Sequence, residues 1–412
     1  MIDLFRSENV VVRSVPAGDV SRWVVTFDNY GIGHGFDRPG FGEEFFRQSG
    51  VSAIHVLGRQ EDWYQYPEMA EAMAAVLQAT KRAERVMTYG SSMGGYAALR
   101  FADAAGANAV LAVSPQYSID PQKVPFEKRW LQDSRRIRWL PEIDGRLMCA
   151  VRPVVVFDPV GEDGRQTVLI QREIDIIPIP LPHVSHPATT YLGEVGLLSA
   201  LVFETLSGEL DAGAFTQRAR SARKKSGVYV SNLALAQPQH RGHLALKLAR
   251  RSVEVSPHNT LAGAALARLL SRQGHDNEAI KLLENILACT GRDINYLVPY
   301  VDVLIAAGRY GEATAHAREA VEASPQQAHL HAWEGAVLWG AGQFSEAVAA
   351  VERAVTLDPY AKRYRNLLKV YRQKKQPLSS HKLSNSLGRA LVGLWPSLRS
   401  RDQNADRKRR RP

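Results

Sequence analysis

Arg85-Val86-Met87-Thr88-Tyr89-Gly90-Ser91-Ser92-Met93-Gly94-Gly95-Tyr96-Ala97-Ala98-Leu99-Arg100-Phe101-Ala102 decides how the first half of this chain is read. The opening five residues are a short β-prone run, the closing seven are rich in helix formers, and glycines fill the joint. G-x-S-x-G at a strand-to-helix joint puts its serine on a sharp, strained corner, with the hydroxyl lifted above the sheet edge. Side chains at Gly90 and Gly94 would collide across so tight a bend. The backbone N–H of Met93 is then placed to hold an oxyanion when Ser92 attacks a carbonyl.

Gly90-Ser91-Ser92-Met93-Gly94-Gly95 in this setting resembles the nucleophile elbow of the α/β-hydrolase family. The resemblance spans roughly residues 10–207 and implies a serine, an acid and a histidine in that chain order. It departs from the family in lacking an HGGG-type oxyanion motif and in a short cap region, for which only Tyr117–Met148, with Trp130 and Trp139, is available. The acid is expected after a strand downstream of Ser92. Val154–Phe157 is such a strand; Asp158 ends it and Asp163 lies a few residues into the loop, the position the family favours. The histidine is expected in the loop before the closing helix, where His186, held extended by Pro187, is preferred to His183. Asn29 or Tyr30, after an early strand, would supply the second oxyanion N–H. Trp63, Tyr64, Ser91 and the unused His183 are candidates to line the substrate site.

Strands are expected at Val10–Val15, Trp23–Phe27, Val51–Leu57, Arg85–Tyr89, Ala109–Val113, Val154–Phe157 and Ile174–Ile179. Helices are expected at about Gly42–Gln48, Pro67–Glu84 and Ala188–Leu206. This alternation predicts an α/β, doubly wound, mostly parallel sheet with its site at the carboxyl ends of the strands. Gly31-Ile32-Gly33-His34-Gly35 does not make a dinucleotide site: the fingerprint needs glycine at 36, where Phe36 stands, and no acid ends the next strand. Neither a cofactor nor a metal is expected.

Further on, Gly274, Gly308 and Gly342 recur every 34 residues. Glu278-Ala279, Glu312-Ala313 and Glu346-Ala347 keep step, as do Pro257, Pro325 and Pro359, with Gly291 in the missing place. This pattern resembles the tetratricopeptide repeat, an all-α solenoid of helix pairs. It implies four units, the first degenerate, plus a closing helix from Tyr360 to about Lys374, and a concave face for a protein or peptide segment. The organisation expected is therefore 1–207 catalytic, 208–225 a basic linker, 226–375 repeats and 376–412 a basic tail.

The net charge of +10 sits mostly at the end: from Tyr360 onward sixteen Lys and Arg stand against two Asp, leaving a mildly acidic body. Leu383, Leu387, Leu391, Leu394 and Leu398 would form one stripe if helical, a pattern suited to an anionic membrane surface, while the basic residues suit non-specific nucleic-acid contact. No run of eighteen apolar residues predicts a membrane span. The first residues, Met1–Arg6, have no apolar core of leader length. With only Cys149 and Cys289, far apart, the expectation is a cytoplasmic protein without structural disulfides, peripheral membrane contact through the tail being open. The resemblance thus points to a serine hydrolase of the esterase, thioesterase or deacylase kind, acting on an acyl-ester small molecule, an acylated glycan or lipid, a thioester or an acyl-carrier adduct, joined to partner-binding repeats. An acyltransferase on the same fold, and a non-catalytic adaptor acting through the repeats, are the alternatives.

Overall fold

Apolar runs too short for helices and buried on both faces build the first part of the molecule into one twisted sheet. The structure, a computed structural model, describes residues 2–373 and divides into two units, one up to Tyr229 and one from Val230. The described strands are β1 (Ile2–Arg6), β2 (Val10–Val15), β3 (Asp19–Phe27), β4 (Val51–Gly58), β5 (Arg85–Ser91), β6 (Ala109–Val113), β7 (Val154–Phe157) and β8 (Ile177–Pro180). Their spatial order is β1-β2-β4-β3-β5-β6-β7-β8. β1 and β2 run antiparallel to their neighbours, and the rest, from β4 to β8, are parallel.

Period-two alternation distributes the strand residues between two cores. Val25, Phe27 and Val86 pack on one face with Tyr64, Met73, Tyr96 and Phe101. Val24, Met87 and Tyr89 pack on the other with Phe46, Leu201 and Phe215. Burial on both faces leaves only the strand ends and their loops for chemistry.

Three boundaries differ from the sequence reading. β1 is an additional edge strand. The closing helix is two helices, Ala188–Glu194 and Leu198–Ser207, broken where Gly196 takes a φ of 69°. Residues 208–225 are not a linker: helix Ala212–Ala222 is capped by the Asp211 carboxylate and buries Phe215 and Ala219 in the sheet core of the first unit. Its exposed arginines masked that apolar face in the sequence.

In the second unit the 34-residue period becomes helix pairs. Gly242–Val255 follows Gly227–Leu235; then come Thr260–Ser271 with Asp276–Cys289, Ile294–Ala306 with Tyr310–Ala323, and Ala328–Gly340 with Phe344–Leu357. Lys362–Gln373 closes the series. Ala279, Ala313 and Ala347 are fully buried at the helix crossings, and a side chain at Gly335 would lie 2.6 Å from Val351. The stripe and basic cluster of 376–412 lie outside the described residues. Among the described residues no helix is long and apolar enough to cross a membrane.

Candidate active site

Ser92 joins β5 to helix Met93–Arg100 with φ 57° and ψ −118°, a conformation costly for a residue with a side chain. The glycines around it show what enforces the corner. A Cβ on Gly90 would lie 2.2 Å from the Gly94 carbonyl, and one on Gly94 would lie 2.4 Å from the Phe27 oxygen at the end of β3. Ser92 N donates to Val113 O at 2.9 Å, tying the corner to β6 as well.

At this corner Ser92 Oγ lies 2.8 Å from His186 Nε2, and His186 Nδ1 lies 2.8 Å from Asp163 Oδ2. An ionised carboxylate only accepts, so Nδ1 carries the proton and Nε2 is left to accept from the Ser92 hydroxyl. The other oxygen of Asp163 accepts from Arg129 Nη1 at 2.7 Å. Burial pushes the Asp163 carboxyl up, but the charges of His186 and Arg129 and their hydrogen bonds outweigh it and hold it at about 2. Arg129 also pairs with buried Glu127 at 2.7 Å and lies 4.5 Å over the Trp130 ring.

The two aspartates have separate jobs. Asp163 is not in a loop but in the first turn of helix Glu162–Gln171, buried beneath the imidazole. Asp158 does not reach the imidazole. Its carboxylate accepts from Val160 N at 2.9 Å and from Ser185 N at 2.7 Å, holding the loop before His186 where Ser185 has a φ of 64°. Ala188 N donates to Ser114 Oγ at 3.0 Å on the far side of His186. His183 sits edge-on to Tyr229 at 6.3 Å, and the imidazole at Ser92 is that of His186.

Met93 is the first residue of its helix, so its N–H has no partner within the helix. The close approach of Gly94 to the Phe27 and Asp28 carbonyls brings the chain entering Asn29 and Tyr30 against the elbow. Tyr64, expected at the substrate, is instead a brace for that chain. It is fully buried; its hydroxyl donates to Val56 O at 2.9 Å and accepts from Asp28 N. Asp28 in turn accepts from Arg38 at 2.7 Å. Ser91 is buried at the end of β5, and its hydroxyl has no hydrogen-bond partner among the described residues, so it takes no part in the Ser92–His186 contact. Trp63 does belong to the surroundings of Ser92: its indole N–H donates to Gln116 Oε1 at 3.2 Å, and Gln116 Nε2 lies 3.3 Å from Ser92 Oγ.

Gln116 and Arg129 have no spacing signal in the sequence; each reaches the site through tertiary approach. Trp130, placed in the cap region by the sequence, packs edge-on to His186 at 5.3 Å. Among the described residues no group of three His, Cys, Asp or Glu is placed to hold a metal ion.

Comparison with known proteins bears on the second unit. Residues 304–370 match the family model of the tetratricopeptide repeat, and this part of the chain carries repeats of that protein-interaction type. Among solved structures the chain is similar to MamA (residues 41 to the end) from Desulfovibrio magneticus RS-1, at 19% identity and TM-score 0.32, over 42% of this chain and 96% of that one. It is also similar to a thermophilic TPR protein of Thermus thermophilus, at 21% identity and TM-score 0.29, over 39% of this chain and 88% of that one. YrrB, described as a TPR protein with an unusual peptide-binding site, is similar at 16% identity and TM-score 0.30, over 44% and 92%. No curated protein matches the chain. The matched family model lies wholly in the second unit and carries no information on the first.

Proposed function

We propose that the first unit is a serine hydrolase of the α/β-hydrolase type, acting on an acyl ester, and that the repeats recruit a protein or peptide partner to it. The observation that carries this reading is the unbroken series Ser92–His186–Asp163 at 2.8 Å and 2.8 Å, on a strained elbow. Ser92 Oγ bonds to the acyl carbon while His186 Nε2 takes its proton. The tetrahedral oxyanion is held by Met93 N–H and an N–H from Asn29 or Tyr30. On collapse the bond to the leaving alcohol breaks and that oxygen takes the proton from His186. Water then enters by the same route in reverse and releases the acid. An acceptor hydroxyl in place of water would make the same machinery an acyltransferase.

A second reading has its own support. The family match falls on the repeats, and taken alone it favours an adaptor whose first unit no longer turns over substrate. A fluorophosphonate probe separates the two. Labelling at Ser92 that disappears in Ser92→Ala, with turnover of a p-nitrophenyl ester, supports the hydrolase. A folded protein that neither labels nor turns over ester is the adaptor.

A further inference from the structure

We infer that the acyl group taken at Ser92 is short, of the acetyl class, a narrowing that rests on the hydrolase reading above. The space beside the nucleophile is filled by packed rings and an oriented amide. On one side stands Gln116, 1% exposed, its Nε2 3.3 Å from Ser92 Oγ. Trp63, 0% exposed, fixes that amide: an indole N–H can only donate, so Gln116 Oε1 faces Trp63 and the amide nitrogen faces Ser92. On the other side Trp130, 8% exposed, lies edge-on to His186 at 5.3 Å.

The two tryptophan rings are 5.5 Å apart, and Tyr30 meets them at 5.8 Å and 6.4 Å. Centroid separations of about 4.5–7 Å are those of rings in contact. The three therefore pack on one another as a wall, buried at Trp63 and Trp130 and exposed at Tyr30. A carbonyl seated over Ser92 would carry its acyl chain against this wall, which sets the limit on the chain's length. Each further methylene has to displace Gln116 or a tryptophan from a close-packed interior, which resists added volume. The bond changes are those already given: Ser92 Oγ gains a short acyl group as the ester oxygen leaves with the proton from His186.

The full chain tests this directly. Steady-state rates on p-nitrophenyl acetate, butyrate, hexanoate and octanoate, corrected with Ser92→Ala, are read beside labelling by fluorophosphonates carrying a short and a long alkyl chain. The expected profile is highest for acetate, with kcat/KM falling about tenfold or more at each step beyond butyrate, the discrimination a tight pocket gives per added methylene or two. Trp130→Ala is expected to recover hexanoate relative to acetate. An optimum at hexanoate or octanoate, with long-chain labelling of Ser92 as fast as short, overturns the short-acyl inference and leaves the serine nucleophile standing. No labelling of a folded protein by either probe removes both.

Discussion

Glycine serves opposite purposes in the two units. Gly90 and Gly94 are required by space, because a Cβ there would strike backbone at 2.2 Å and 2.4 Å. Gly274, Gly308 and Gly342 have open space around them and are required by their φ of 80°, 75° and 80°. The acids Asp163 and Asp302 divide in the same way. Asp163 has both oxygens bonded and is held at about 2. Asp302, in helix Ile294–Ala306, has one oxygen without a hydrogen-bond partner among the described residues. Burial drives its carboxyl up to about 7, and the nearby Trp333 indole and Arg268 charge offset that only in part. The first unit is built around one place where many constraints meet. The second tiles one set of local rules, so each position bears little of the whole.

That contrast can be broken most sharply at the two aspartates of the first unit. Asp163→Asn is expected to lower kcat on a p-nitrophenyl ester by about four orders of magnitude, by analogy with loss of a triad acid. Asp158→Asn, which only loosens the anchor of Ser185, is expected to cost on the order of tenfold or less. Equal losses would erase the distinction between the acid and its neighbour. Next in size are the glycines. Gly90→Ala is expected to destabilise the first unit by about 3 kcal/mol or more, since backbone has to move. Gly308→Ala carries only left-handed strain, about 1–2 kcal/mol. Hydrogen-exchange mass spectrometry reads the two units separately, and a reversed order would refute the comparison.

Arg129 sharpens the electrostatic side. Asp163, Glu127 and Arg129 are the charged groups clustered behind His186, and removing the guanidinium leaves two carboxylates uncompensated. Arg129→Met is expected to let the Asp163 carboxyl rise from about 2, so that loss of kcat/KM on the acid side sets in at higher pH than in wild type. Arg129→Lys is expected to restore most of that shift. The smallest effect belongs to Asp302. Its folded pKa lies above the unfolded value, so the folded state holds the proton more tightly and loses stability as pH rises from about 4 through about 7. The melting temperature of the second unit is expected to fall by a few degrees between pH 5 and pH 8, roughly the size such a linkage gives in a unit this large. Asp302→Asn flattens the slope; an unchanged slope in the variant would assign it elsewhere.

What was legible in the sequence follows the same division. The elbow could be read because its glycines and serine are adjacent, and the repeats because their period is written out three times. The structure brings together Ser92, His186 and Asp163, which chain order had placed in sequence. Three features were hidden. Helix Glu162–Gln171 has too polar a composition to show a stripe, so Asp163 read as a loop residue. The charge of residues 208–225 concealed the two positions, Phe215 and Ala219, that tie them to the sheet. Gln116, Arg129 and the bracing role of Tyr64 depend on segments meeting across tens of residues, and no local spacing encodes such a meeting.

The most direct measurement is acid-quenched peptide mapping after brief exposure of the full chain to p-nitrophenyl acetate. The account predicts one acetyl adduct on the peptide bearing Ser92, absent from Ser92→Ala and not accumulating in His186→Ala. Release of p-nitrophenol at the same rate by wild type and Ser92→Ala, with no adduct on that peptide, would contradict it.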